Sequence, residues 1–95
     1  MGGHLARKKK WPSWWDWELE LSPHLLKRMV DRRFSEIDLR KMLEHAKGYG
    51  PDIMEGRWVV KVSRKGEPWE VVVEPDNSLQ LLVVVTAYPL EEQKS

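Results

Sequence analysis

A chain of 95 residues, 41 % hydrophobic and 33 % charged, is sized for one core. It is too apolar for disorder, and too broken by charge to hold a run of about 20 apolar residues that could cross a membrane. The absence of cysteine removes disulfides, thiolate catalysis and cysteine metal sites, and fits a reducing cytoplasm. The net charge of +1 hides an asymmetry: residues 1–50 hold 11 Lys/Arg against 7 Asp/Glu and residues 51–95 hold 5 against 8, which permits a polyanionic partner at the front of the chain.

Residues 1–13 join glycines, the run Arg7-Lys8-Lys9-Lys10 and Pro12 without any period, and predict a flexible basic leader. Trp11-Pro12-Ser13-Trp14 stands where a signal peptide needs a continuous apolar region, so no targeting segment is expected. From Trp15 the chain alternates, with Trp15, Trp17, Leu19 and Leu21 on one side and Asp16, Glu18 and Glu20 on the other. That alternation predicts a half-buried first strand.

Ser22-Pro23 predicts a helix start: the hydroxyl can accept an orphan backbone N–H, and proline at the first helical position gives up no needed donor. The helix should reach about Arg32 on Leu25, Leu26, Met29 and Val30. Ser35-Glu36-Ile37-Asp38 opens a second helix, which Gly48 would close in a left-handed cap. Tyr49 to Gly56, with Gly50-Pro51, predicts a loop.

Arg57 to Ser63 and Pro68 to Glu74 predict a hairpin around Arg64-Lys65-Gly66-Glu67, with Trp58, Val60 and Val62 sharing a face with Trp69, Val71 and Val73. Leu79 to Tyr88, apolar on both faces for most of its length, predicts a central strand. The expectation is one α+β domain over residues 14–90, with residues 91–95 as a polar tail. Its order is an N-terminal strand, two helices and a three-stranded antiparallel meander.

His24 is the second residue of its helix, where an imidazole can act as a general base or simply meet solvent. Arg28 follows at the i,i+4 spacing and could hold a phosphate. Period-two alternation puts Leu82, Val84, Thr86 and Tyr88 on one side of the last strand. That side turns from apolar to hydroxylated at its end, as a strand reaching a cleft does and as many strand ends do. Arg57 faces away from the apolar side of its strand, and Lys27, Arg32, Arg33, Arg40 and Lys41 form a basic set that could track a phosphate backbone or only keep the helices soluble. His4, His24 and His45 are too scattered for a zinc spacing, and no Walker loop or Gly-x-Ser-x-Gly elbow is present.

The series Leu21-Ser22-Pro23-His24, Arg28-Met29, Asp31-Arg32, Phe34-Ser35-Glu36-Ile37-Asp38-Leu39, Glu55-Gly56-Arg57-Trp58 and Val85-Thr86-Ala87-Tyr88-Pro89 resembles a small bacterial domain family. That family is grouped with RelE-like toxins in the barnase, EndoU, colicin and RelE ribonuclease fold, and the likeness covers about residues 17 to 90. It implies helices packed on one face of a curved antiparallel sheet. It also implies a cytoplasmic endoribonuclease toxin that needs no metal or cofactor and is neutralised by an antitoxin protein. Carried over by position, His24 would be the acid/base residue, Arg28 and Arg57 phosphate-binding cations, and Thr86 and Tyr88 groups that orient or protonate the phosphate. Lys27, Arg32 and Arg33 would join Arg57 in holding RNA. The sequence also leaves open a non-catalytic RNA- or protein-binding module, or a regulatory subunit that forms a homodimer through the first strand.

Overall fold

The computed structural model describes residues 11–90. Along the chain come a short 3-10 helix (Ser13–Asp16), β1 (Glu18–Leu21), α1 (Pro23–Arg32), α2 (Glu36–Glu44), β2 (Gly48–Pro51), β3 (Trp58–Arg64), β4 (Glu67–Asp76) and β5 (Leu81–Pro89). Residues 1–10, most of the predicted leader, and the tail 91–95 lie outside the described residues.

The expected α+β class holds, but the sheet is not a three-stranded meander behind a lone first strand. It is one mixed sheet of five strands in the order β1-β5-β4-β3-β2. β1 runs parallel to β5, with Leu19 opposite Leu82 and Leu21 opposite Val84, and the other neighbours are antiparallel. The extra strand is β2, drawn from Gly48 and the segment that predicts a loop. Lys47 N–H donates to Lys61 O at 2.8 Å, and Gly48, Tyr49, Gly50 and Pro51 then pair with Lys61, Val60, Val59 and Trp58. Glycine and proline read as turn residues, yet an edge strand tolerates both, because its outer side needs no donors. Gly48 therefore belongs to a strand and caps nothing. The left-handed residue that closes a helix is Arg33 (φ 56, ψ 52), after α1, and α2 stops at Glu44.

Local chemistry explains the helix starts. Ser22 Oγ accepts Leu25 N–H at 3.0 Å with Pro23 in the first turn. Ser35 and Asp38 close a reciprocal capping box, Asp38 N–H to Ser35 Oγ at 3.2 Å and Ser35 N–H to Asp38 Oδ2 at 2.9 Å. The β3–β4 hairpin turns on Lys65 (φ 53) and Gly66 (φ 82). Two successive left-handed residues match the twist of the strands they join.

Both helices pack on one face of the sheet, α1 over β5 and α2 over β3. The core between them includes Leu25, Leu39, Val60, Val71, Val73, Leu82 and Val84, all fully buried. Phe34 meets Trp69 edge-on at 5.4 Å, and the Arg64 guanidinium lies over both rings at 5.8 and 5.7 Å. The predicted strand from Trp15 to Leu21 is shorter than its alternation suggests, because Ser13–Asp16 turns as a 3-10 helix that Trp17 N–H closes onto Trp14 O. Trp14 is buried against Tyr49 and Trp58 at 6.0 and 5.9 Å. Trp11 stacks on Trp15 at 4.4 Å and on Tyr49 at 5.3 Å. The tryptophans seal the β2–β3 end of the core, a use of aromatic area that a small domain needs.

Candidate functional site

Period-two alternation fails at one point in β5, and that failure decides where the hydroxyls point. In the β4–β5 ladder Val72 pairs with Thr86 but Val73 pairs with Val84, so Val85 is an extra residue on β5, a β-bulge. Before the bulge Leu82 and Val84 face the helices, and beyond it Ala87 does, fully buried in the same core. Thr86 and Tyr88 are therefore turned to the opposite, helix-free face, and the predicted shared side of Leu82, Val84, Thr86 and Tyr88 does not exist. A single inserted residue shifts every later side chain to the other face.

On the helix-free face Tyr88 Oη donates to Glu70 Oε1 at 2.9 Å, across the pair Glu70–Tyr88. Lys61 lies opposite Glu70 on its other side. Val72, 6 % exposed, lies outside the core cluster and beside Thr86, whose Oγ1 is buried and has no hydrogen-bond partner among the described residues. Arg57 Nε donates to Glu74 Oε1 at 3.0 Å, so this predicted phosphate ligand is already held by a carboxylate on the same face.

Ser22, the N-cap of α1, is bonded to β5 at the bulge. Ser22 N–H donates to Val84 O at 3.1 Å, and Ser22 Oγ donates to Val85 O at 2.8 Å. The helix that carries His24, exposed two residues further on, is thus fixed to β5 one residue before Thr86. Arg28, half-buried, follows one turn later on the flank of α1 that His24 occupies. The remaining predicted RNA contacts do not gather there. Lys27 is exposed beside them in sequence, but Arg32 and Arg33 end the helix, eight and nine residues past His24, or about 12 Å and more along its axis at 1.5 Å per residue. The Arg33 carbonyl accepts from Arg64 Nη2 at 3.2 Å, a link between α1 and β3.

Glu70 is the member of this group that the sequence does not announce. Its alternation with Trp69 and Val71 marks it only as outward-facing, and its contact with Tyr88 depends on the β4–β5 register and on the bulge. The uninterrupted apolar run Leu81 to Val85 hides that bulge, since every residue in it suits either face.

The family of domains described as a domain of unknown function (DUF4258) matches residues 21–89, from the end of β1 through β5. This chain belongs to the DUF4258 family. No curated protein and no solved structure matches it. The matched stretch of the DUF4258 domain takes in His24, Arg28, Arg57, Glu70, Thr86 and Tyr88 together with the Ser22–Val85 link, and leaves the 3-10 helix outside. No helix among the described residues of this DUF4258 chain is long and apolar enough to cross a membrane.

Proposed function

We propose that the helix-free face of the sheet, with the first turn of α1 beside it, is the site of a RelE- or barnase-like endoribonuclease that acts as the toxin of a toxin–antitoxin-like pair. The observation that carries this is the Val85 bulge: it turns Thr86 and Tyr88 out of the core, and Ser22 fastens the His24-bearing helix to that same bulge. The reaction is attack of an RNA 2′-hydroxyl on the adjacent phosphorus, expelling the 5′-oxygen and leaving a 2′,3′-cyclic phosphate. One group must take the 2′-proton and another must protonate the leaving oxygen.

His24 fills one of these roles. The Glu70 carboxylate, oriented by Tyr88 on the helix-free face, is a second proton acceptor. The Thr86 hydroxyl, buried without a partner among the described residues, donates to a phosphate oxygen once uncovered, and Arg28 and Arg57 supply positive charge, Arg57 by exchanging Glu74 for phosphate.

The test is incubation of the purified chain with total RNA, with and without EDTA, and analysis of the product ends. Cleavage unaffected by chelator, cyclic-phosphate ends, and a loss of about 100-fold or more in His24→Ala are expected. Cleavage unchanged in His24→Ala removes this assignment of roles.

A second function, a binding module without turnover, is favoured by the charge of the same face. Glu18, Glu20, Glu70 and Glu74 outnumber Lys61 and Arg57 there. A polyanion gains little from such a surface, whereas a basic protein partner gains. Tight protein binding with no RNA cleavage would select it.

A further inference from the structure

We infer that the free edge of β1 is a docking site for an extended segment of a partner protein in which basic and apolar residues alternate. β1 is paired on one side only, to β5. Ser22 N–H donates to Val84 O, so alternation directs the backbone groups of Glu18 and Glu20 toward β5 and those of Leu19 and Leu21 outward. Among the described residues nothing pairs with that outer side. The opposite edge, β2, is blunted by two glycines and Pro51.

Beside β1, on the core side of the sheet, lies an open groove of about 410 Å³ with Trp15, Trp17, Leu19, Leu43 and Leu82 as its apolar lining and Asp16, Arg40 and Glu44 as charged residues that also line it. That is room for one or two large apolar side chains. A strand added to β1 would send every second side chain toward this groove and the alternate ones beside the exposed carboxylates of Glu18 and Glu20. The first set gains from apolar area against Trp15, Trp17, Leu19, Leu43 and Leu82. The second is stabilised when basic, because opposite charges across neighbouring strands attract and like charges repel.

The same rule disfavours a second copy of the chain as the occupant. Residues directly opposite in a sheet point to the same face, so a register that sets Leu19 and Leu21 of one copy against Leu19 and Leu21 of the other sets Glu against Glu. The occupant is a different, cationic strand. This inference does not depend on RNA cleavage, since it concerns the outer edge of β1.

The experiment titrates the full chain, isotope-labelled, with three blocked peptides. One alternates lysine with valine, one alternates glutamate with valine, and the third is the lysine peptide with methylated backbone nitrogens. Amide shifts in β1 and at the groove residues Leu43 and Leu82, with indole shifts at Trp15 and Trp17, are expected, with the lysine peptide binding about tenfold tighter than the glutamate one. The methylated peptide should fail for want of ladder hydrogen bonds, and the E18K/E20K chain should reverse the charge preference. The inference is overturned by absence of binding, by equal affinity for both charges, or by shifts elsewhere. Exchange protection of the Leu19 and Leu21 amides in the free chain would also overturn it, as would self-association through β1 in sedimentation.

Discussion

The Ser22 hydroxyl stands between Leu25 and Val85, accepting the Leu25 N–H at 3.0 Å and donating to the Val85 carbonyl at 2.8 Å. One side chain thus caps α1 and holds the bulge. Ser22→Ala removes both bonds and should cost about 2 kcal/mol, a cap plus a half-buried hydrogen bond. Ser22→Asp keeps the cap acceptor but cannot donate to Val85, so its loss should be intermediate. Urea melts of the three chains check the order; equal stability of Ser22→Ala and the parent would show that the link holds nothing.

The helix N-caps, the hairpin and most of the core were legible because each is written locally, whereas the Gly48 cap was not formed. Ser22-Pro23 and Ser35 to Asp38 carry their own hydrogen-bonding partners, and Trp58 to Val62 and Trp69 to Val73 keep period two without interruption. β2 was not legible, because Tyr49 lies between glycines and strand pairing with β3 outweighs local turn preference. The parallel seat of β1 beside β5 is a long-range choice that no window of sequence contains. His24, Thr86 and Tyr88 could be singled out by type and position. The face on which the two hydroxyl residues stand depends on Val85, which is indistinguishable in type from Val83 and Val84.

Thr86 offers a test in which stability and function separate. Its Oγ1 is buried without a partner among the described residues, and an unsatisfied buried hydroxyl is a cost that the folded state carries. Thr86→Val, nearly identical in shape, should raise stability by about 1 kcal/mol. If the hydroxyl serves a phosphate, the same change lowers cleavage. A stabilised variant with full activity would leave Thr86 out of the site, and a destabilised one would mean that the hydroxyl is satisfied in solution.

Tyr88 and Glu70 should act as a unit. Their hydrogen bond, 2.9 Å and half-buried, joins adjacent strands across the face that holds Thr86. In a double-mutant cycle of Tyr88→Phe and Glu70→Gln the coupling in unfolding free energy should be about 1 kcal/mol. For RNA cleavage the two single losses should likewise fail to add. Strict additivity in both measurements would mean that the two side chains meet without consequence.

Asp38 gives the chain an acid limb of predictable sign. Its carboxyl is held below its ordinary value of 3.8 chiefly by the Ser35 backbone N–H, against desolvation as the next largest effect, with the Ser35 hydroxyl and the charges of Arg64 and Lys41 adding to the lowering. A group whose folded-state value is depressed stabilises the fold when ionised. That stabilisation is complete above the ordinary value and is lost as pH falls through the depressed one. Stability should therefore drop on going from about pH 5 to about pH 2.5, and drop less in Asp38→Asn, which accepts the Ser35 N–H at every pH. Ser35→Ala should also shrink the acid limb, because it removes the hydroxyl partner and leaves the backbone donor. Denaturant melts at the two pH values measure this directly, and parallel acid limbs in the parent and Asp38→Asn would mean that the capping box does not carry the pH dependence.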